Sequence, residues 1–182
     1  RKNTVIAVVW KKNKYLSNLQ TVYKKKLKII IFNKFVKDSY EKILSEYKFK
    51  YIFFFAGYSK IPLTKREKEI CKESNYNIFK IFLNSYLKLN IKSKILYLSS
   101  SEIFGSNQKK KKFEKSKLVG TNCYSKCKIK SFNLINKFRK KYDLHISNAI
   151  CYNHESQFTP KNHLIRNIIK KFKNQKKKNY YL

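Results

Sequence analysis

The sequence predicts an α/β protein in which a parallel β-sheet is covered by helices on both faces. Five short apolar runs have the β-branched and aromatic composition of buried strands. Segments with helical spacing of apolar residues lie between several of these runs, and this alternation is typical of parallel sheets. A chain of 182 residues also has the length of one domain with a single core. We therefore expect a single domain over residues 1–182.

The first half of the chain supplies three predicted strands and one helix. Continuous apolar runs over residues 4–10 and 28–32 predict strands, and a basic turn over residues 11–14 follows the first of them. Apolar residues at helical spacing predict a helix over residues 38–47. The third run, residues 51–57, ends in the pair Ala56-Gly57, where a ligand can approach the backbone closely.

The second half continues the alternation of strand and helix. The predicted elements are a long helix over residues 65–88 that is broken by Ser93 and Lys94, a strand over 95–98, a loop over 106–121, a helix over 123–142, a strand over 145–152 and a helix over 163–172. Ligands of parallel sheets bind outside the carboxyl ends of the strands. Three serines and a glutamate, residues 99–102, follow the fourth predicted strand and should therefore lie at that edge.

The charge of the chain leaves two interpretations open. With 44 Lys+Arg against 10 Asp+Glu, the formal net charge is +34, which is typical of proteins that bind nucleic acid. The lysines are, however, spread along the whole chain together with Asn, Ile, Phe and Tyr, as in a chain whose entire composition has drifted. Either the protein is a non-catalytic, basic nucleic-acid-binding protein, or its lysines form a solvated surface. Because the aromatic residues lie mainly inside strand and helix patterns, we expect no specific nucleic-acid partner.

Composition also bears on the compartment. A hydrophobic content of 42% predicts a folded chain rather than a disordered one. No apolar run reaches the ~18 to 20 residues of a membrane span, and the N-terminus lacks the order of a signal peptide. We expect a cytoplasmic protein without a membrane partner, with its 4 cysteines reduced. Because the first residue is Arg1 rather than methionine, we expect a partial chain.

Four residues form a candidate catalytic constellation. Tyr124 and Lys128 stand four positions apart in a predicted helix and so share one face. A tyrosine phenol, with a reference pKa near ~10, is a poor base at neutral pH unless a nearby cation favours its anion. Ser100 can bind a substrate hydroxyl and Glu102 can exchange a proton, so the group suits a reaction that moves two protons. The alternative is a core tyrosine beside a surface lysine, with Glu102 solvated.

Metal binding is a second possible chemistry. Cys123 and Cys127, together with Cys151 and His154, offer four soft ligands for zinc. Their spacing is not one of the tight standard forms, and a metal there would compete with Tyr124 for space. We therefore expect no metal.

Three motifs carry a resemblance to a known family. The sequence Ser-Ser-Ser-Glu-Ile-Phe-Gly at residues 99–105, the Tyr-x-x-x-Lys pair and Asn153-His154-Glu155-Ser156 resemble the extended short-chain dehydrogenase/reductase family, and within it most closely the GDP-mannose 4,6-dehydratases. The third motif is the specific one, because sister epimerases and dehydratases usually lack it. The resemblance implies a Rossmann-like fold that lacks the family's first strand and glycine-rich turn, since residues 4–12 are similar to its second strand and basic turn.

The resemblance also implies a reaction. GDP-mannose would be converted to GDP-4-keto-6-deoxymannose through transient hydride transfer to NADP; the alternative is another nucleotide-sugar epimerase or dehydratase. The resemblance implies a homo-oligomer as well. The implied catalytic residues are Ser100, Glu102, Tyr124 and Lys128. The implied cofactor-binding residues are Lys11, Asn33, Ala56, Gly57, Ser59, Tyr124, Lys128 and His154, and the implied substrate-binding residues are Ser100 and Asn153.

The chain departs from the family pattern where the cofactor's phosphates should be held. The glycine-rich turn has no counterpart, and Gln157-Phe158-Thr159-Pro160 stands where the family has Pro-Arg-Arg-Gly. Arginines that meet phosphate are thereby lost. We expect this chain on its own to bind NADP weakly or not at all, either as a fragment or as an eroded member of the family.

Overall fold

The structure, a computed structural model, describes residues 3–11, 14–32, 36–105, 111–156, 159 and 164–179. The chain divides into two compact units, Arg1–Ile150 and Cys151–Leu182. In chain order the elements are β1 (Val5–Val9), α1 (Lys14–Tyr23), β2 (Leu27–Ile31), α2 (Lys37–Glu46), β3 (Tyr51–Phe54), α3 (Lys65–Lys72), α4 (Ile78–Lys88), β4 (Lys94–Ser100), α5 (Cys123–Tyr142), β5 (Ile146–Cys151) and α6 (Leu164–Asn179).

The strands form two sheets. β1 pairs in parallel with β2, in a register that places Val5 opposite Leu27. β3 pairs in parallel with β4, with Tyr51 opposite Lys94, and β5 is the other neighbour of β4. Parallel strands connected through helices are the arrangement of a Rossmann-like α/β fold. The predicted fold class is therefore confirmed.

The core lies between the second sheet and the helices α2, α4 and α5. Alternation along β3 turns Phe54 into this core, where its ring centroid lies 4.8 Å from that of Phe79. Phe79 also packs 4.3 Å from the ring of Tyr97 on β4. The buried residues of this cluster are Tyr40, Ile43, Leu44, Phe54, Ile78, Phe79, Phe82, Leu83, Tyr86, Ile95, Tyr97, Ile135, Phe138 and Ile146. Because β4 packs into this cluster, its carboxyl end is held by the most densely apolar part of the molecule.

Two helical predictions need correction. Residues 14–23 form α1, although the sequence pattern predicted no helix there, because few apolar residues mark its inner face. The long helix over residues 65–88 is in fact α3 and α4, separated by a π-helical segment, Glu73–Asn77. A single wider turn leaves the apolar spacing on both sides almost unchanged, so periodicity does not reveal it.

The loop after β4 returns to the strand end. Gly105 has a φ of 76°, and a Cβ atom there would lie 2.9 Å from the carbonyl oxygen of Val119, so glycine is required on both counts. The amide of Val119 donates a hydrogen bond of 2.8 Å to the carbonyl of Ile103. Val119, in the described part of the predicted loop, thus lies against the turn that follows β4; residues 106–110 fall outside the described residues.

The second unit contains α6, whose helix continues beyond the predicted end at residue 172. In the first turn of this helix, the guanidinium of Arg166 donates a hydrogen bond of 2.6 Å to the carbonyl of Thr159, which precedes the helix. Within the described ranges, no helix has both the length and the apolar character needed to cross a bilayer.

Candidate active site

The candidate site begins at the carboxyl end of β4. The strand ends at Ser100, and a short 3₁₀ turn, Ser101–Phe104, follows. The Ser100 hydroxyl accepts a hydrogen bond of 3.3 Å from the amide of Glu102 and so caps this turn. The cap fixes the direction in which the Glu102 side chain leaves the backbone, and its Oε2 accepts a hydrogen bond of 3.5 Å from the Asn122 side chain.

Asn122 fixes the start of α5, the helix that carries the candidate base. Its side-chain oxygen accepts a hydrogen bond of 2.8 Å from the amide of Ser125, and its own amide donates one of 3.1 Å to the Ser125 hydroxyl. This reciprocal capping box sets the first turn of the helix and with it the half-buried Tyr124. Because Asn122 also contacts Glu102, the carboxylate is tied to the same helix end as Tyr124.

Lys128 is buried against β4, although a lysine is rarely so enclosed. Its side chain is 5% exposed, and its Nζ donates a hydrogen bond of 2.8 Å to the carbonyl of Leu98. The same Nζ lies 5.8 Å from the ring centroid of Tyr124 and 4.9 Å from that of Tyr97. Such a buried ammonium group places a positive charge beside two phenol rings.

The two tyrosines beside Lys128 have different environments. Burial strongly raises the pKa of Tyr97, whose hydroxyl donates a hydrogen bond of 3.1 Å to the carbonyl of Asn75, so this phenol stays neutral in the core. Tyr124, by contrast, is only half-buried. Of the two, Tyr124 is therefore the phenol that a substrate can reach.

The loop after β3 approaches the same lysine. A Cβ atom on Gly57 would lie 3.7 Å from the Nζ of Lys128 and only 2.5 Å from the Oδ1 of Asn75. No other residue fits there without displacing that amide. Ala56 and Ser59, on either side of Gly57, are exposed. The backbone after β3 and the candidate base are thus neighbours in the structure, although they are far apart in sequence.

Asn75 is a site residue that the sequence pattern did not reveal. It lies in the π-helical segment, is 1% exposed, and its side-chain amide donates a hydrogen bond of 3.0 Å to the carbonyl of Tyr58. Its buried Oδ1 has no hydrogen-bond partner among the described residues. An asparagine in the middle of a helical pattern is unfavourable, and this was the signal available in the sequence.

Several of the predicted site residues meet near the carboxyl end of β4. Ser100, Glu102, Tyr124, Lys128 and Gly57 are linked by the contacts above. The other predicted positions are placed as follows: Lys11 is exposed after β1, Asn153 and His154 are exposed after β5 in the second unit, and Asn33 lies outside the described residues. The His154 Nδ1 lies 2.9 Å from the carbonyl oxygen of Tyr152.

The cysteines group differently from the zinc arrangement considered above. The sulfur atoms of Cys71, Cys123 and Cys127 lie within 4.8 Å of one another. The predicted zinc ligands were Cys123, Cys127, Cys151 and His154, and Cys71 was not among them.

Residues 1–182 match the sequence family described as GDP-mannose 4,6 dehydratase. No curated protein gives a significant match.

Solved structures with similar folds include a dTDP-glucose 4,6-dehydratase from Streptomyces venezuelae with NAD and DAU bound, at 15% identity, with a TM-score of 0.82 and coverage of 96% of this chain and 54% of that chain. They also include RMD from Pseudomonas aeruginosa complexed with NADPH, at 15% identity, with a TM-score of 0.70 and coverage of 89% and 59%. A third is a UDP-glucuronic acid 4-epimerase from Bacillus cereus in complex with UDP-glucuronic acid and NAD, at 13% identity, with a TM-score of 0.79 and coverage of 94% and 55%.

The present chain therefore spans little more than half the length of these proteins. At such low identity the three structures support the fold, and the family follows from the match over all residues. The chain belongs to the GDP-mannose 4,6-dehydratase family, one of the nucleotide-sugar dehydratase and epimerase families of the extended short-chain dehydrogenase/reductase type.

Proposed function

We propose that this chain carries the proton-transfer half of a nucleotide-sugar 4,6-dehydratase that acts on GDP-mannose with NADP as cofactor. The observation that carries the proposal is the buried ammonium group of Lys128, held 2.8 Å from the carbonyl of Leu98 and 5.8 Å from the ring of Tyr124. A cation fixed in this way stabilises a phenolate without taking part in the reaction itself.

The residues around Lys128 fit the nicotinamide end of such a cofactor. At Gly57 there is no side chain, the loop around it is exposed, and the unpartnered Oδ1 of Asn75 lies next to it. We assign the cofactor contacts to Lys11, Asn33, Ala56, Gly57, Ser59, Tyr124, Lys128 and His154. The basic turn that contains Lys11 suits a 2′-phosphate and therefore favours NADP over NAD. When bound, NADP supplies the hydride acceptor and donor of the reaction.

Tyr124 is the base of the first step. As a phenolate it takes the proton of the hexose C4 hydroxyl while that carbon loses a hydride and becomes a ketone. Ser100 donates a hydrogen bond to the same hydroxyl oxygen and keeps it aligned with Tyr124. The charge of Lys128 compensates the phenolate before the step, and its bond to Leu98 prevents the lysine from moving away.

Glu102 performs the second proton transfer. The new ketone at C4 acidifies the adjacent C5, so a carboxylate can remove the C5 proton. Glu102 would pass this proton to the C6 hydroxyl, which leaves as water as a C5–C6 double bond forms. Bound NADP would supply the hydride for reduction at C6, and the proton that Tyr124 took from the C4 hydroxyl would be delivered to C5. No net oxidation occurs, and the product has lost one water. Asn153 is assigned to hold the nucleotide sugar.

The order of the two transfers can be tested with GDP-mannose that carries deuterium at C4, incubated with the chain at high NADP concentration. We expect deuterium at C6 of the product, measured by mass spectrometry and NMR. Tyr124→Phe should abolish the transfer of label, whereas Glu102→Gln should still permit oxidation at C4 and block the loss of water. Equal loss of both steps in the two variants would refute the assigned roles. Epimerised sugar without loss of water would instead support the epimerase alternative.

A further inference from the structure

Three cysteines meet at the contact between α3 and α5. Cys71, in the last turn of α3, is fully buried, and Cys127 is 4% exposed. Cys123 is the first residue of α5 and is partly exposed. The three sulfur atoms lie within 4.8 Å of one another, and all three cysteines are free thiols in the structure. Three thiols from two helices thus converge on one point with access from one side.

The spacing of the sulfurs is close to what a metal requires. Zinc–sulfur bonds of about 2.3 Å in a tetrahedral site place neighbouring sulfurs about 3.8 Å apart. The sulfurs of Cys71, Cys123 and Cys127 therefore need to move inward by an ångström or less from their limit of 4.8 Å. Since Cys123 begins its helix and is not fully enclosed, its side chain can make this adjustment. A fourth ligand would come from solvent on the side of the partly exposed Cys123.

A cation that binds here must displace the protons of buried thiols. Burial raises the pKa of Cys71, and burial with the neighbouring sulfurs of Cys71 and Cys123 raises the pKa of Cys127 to about 12. Two thiolates at this separation would repel each other in a poorly solvated place. A soft cation removes that repulsion and deprotonates the thiols that coordinate it.

We propose that Cys71, Cys123 and Cys127 form a binding site for a soft d¹⁰ cation such as Zn²⁺. The cation displaces the thiol protons and is held by three thiolates, and thiolate ligands select zinc and similar soft metals over Mg²⁺ or Ca²⁺. The ligand set links α3 to the first turn of α5, the turn that also carries Tyr124. A bound cation would thus fix the helix on which the candidate base lies. The proposal depends only on the thiols and not on the proposed reaction.

Cadmium provides a direct optical probe, because thiolate-to-cadmium charge transfer absorbs in the ultraviolet. We expect the reduced, metal-free full chain to show this band on titration with Cd²⁺, with saturation at one ion per chain, and Zn²⁺ to displace it. Zinc should also protect Cys123, the partly exposed member of the cluster, from alkylation, and it should raise the melting temperature, because it binds the folded chain more tightly than the unfolded one. Absence of the band, or no protection by zinc, would overturn the proposal.

Single serine variants identify the ligands. Cys123→Ser is the most informative, because this residue is partly exposed and its replacement is compatible with folding. We expect it to weaken cadmium binding by at least about tenfold, the lower end of what even outer-sphere changes cost. Cys151→Ser is the matched control and should leave the stoichiometry and the band unchanged. Equal binding by the Cys123→Ser variant and the wild type would refute the site, as would loss of binding in Cys151→Ser.

Discussion

At the scale of single residues, the site depends on one lysine whose position is fixed by packing. Lys128 stays buried because its Nζ has a backbone acceptor, the carbonyl of Leu98, 2.8 Å away. An ammonium group without such a partner would leave the core or lose its proton. The charge beside Tyr124 is therefore a consequence of how β4 ends and not of the helix alone.

Replacement of this lysine tests the role of the charge. We expect Lys128→Met to lower the rate of C4 oxidation by about 10²- to 10⁴-fold, because the Tyr124 phenolate loses its compensating cation. The rate is measured with the C4-deuterated substrate at low ionic strength and at the same high NADP concentration for each protein, and the melting temperature shows whether the variant folds. Lys126→Met changes an exposed lysine of the same helix and should leave the rate within about twofold of wild type. A folded Lys128→Met protein with the wild-type rate would contradict the assignment.

The sequence contained part of this site but not all of it. Tyr124 and Lys128 could be paired from their spacing alone, because residues four apart share a helix face. Glu102 could be placed from its position after an apolar strand. Asn75 could not be found, because its position beside Gly57 depends on a π-helical turn that hydrophobic periodicity does not record. Local spacing therefore predicts pairs within one element, and packing decides which elements meet.

At the scale of elements, β3 shows how strongly one strand differs between its two faces. Phe54 is 8% exposed and packs against Phe79 and Phe82, with ring centroids 4.8 Å and 5.1 Å away. Its neighbour Phe53 is 60% exposed and contacts the ring of Phe55 at 5.9 Å. The sequence alone made both phenylalanines part of one continuous apolar run.

Because the two side chains differ in burial, alanine substitutions at these adjacent positions should destabilise the protein by very different amounts. We expect Phe54→Ala to lower the free energy of unfolding by about 3–5 kcal/mol, because it leaves a cavity among aromatic rings. Phe53→Ala should change it by no more than about 0.5 kcal/mol. Urea unfolding followed by circular dichroism measures both. Equal destabilisation by the two variants would show that the outer face of β3 is covered in solution.

The start of α3 predicts a dependence of stability on pH. The carboxylate of Glu67 accepts hydrogen bonds of 3.0 Å from the amides of Thr64 and Leu63 and from the Tyr58 hydroxyl. Chiefly because of the two amides, its pKa falls from the ordinary value of 4.5 to about 2. A carboxyl group whose pKa is lower in the folded state stabilises the fold fully above about pH 4.5. That contribution is lost as the pH falls towards about 2.

The Glu67→Gln variant tests this dependence. We expect it to be less stable than wild type at neutral pH, and the difference in melting temperature should shrink as the pH is lowered through this window. Glu69→Gln changes an exposed carboxylate on the same helix and serves as the control, for which a small and constant difference is expected. A difference between Glu67→Gln and wild type that stays constant with pH would contradict the role of the charge.

The elements themselves were predicted unevenly, for physical reasons. Strands β1 to β5 were found because buried parallel strands are continuous apolar runs. Helix α1 was missed although Leu16, Leu19 and Tyr23 recur at helical spacing; Leu19 and Tyr23 are exposed in the structure, so these residues form no buried face. The end of β4 was set too early: Ser99 and Ser100 belong to the strand, because pairing and packing extend it through residues of low strand preference.

At the scale of the whole molecule, the described strands form two separate sheets. In the Rossmann order 3-2-1-4-5-6, the first strand lies between the second and the fourth. By the resemblance, β1 and β3 correspond to those two strands, and they belong to separate sheets. Among the described residues, β1 pairs only with β2 and β3 only with β4. The residues proposed for proton transfer lie at the end of β4, in the turn after it and on α5, so their contacts with one another do not involve β1 or β2.

The lack of a glycine-rich turn in this sequence predicts that the 182-residue chain binds the cofactor weakly. The backbone amides of a glycine-rich turn, which hold the pyrophosphate at a helix N-terminus, have no counterpart in its sequence. With a net charge of +34, however, the chain will attract any polyanion at low salt, and this attraction is screened over ~8 Å at ~0.15 M ionic strength. We therefore expect NADPH fluorescence titrations to show binding that disappears between low and physiological salt, and that inorganic tripolyphosphate competes away. Saturable micromolar binding at ~0.15 M salt, resistant to tripolyphosphate, would contradict the prediction and show that Gly57, Lys128 and their neighbours suffice to hold the cofactor.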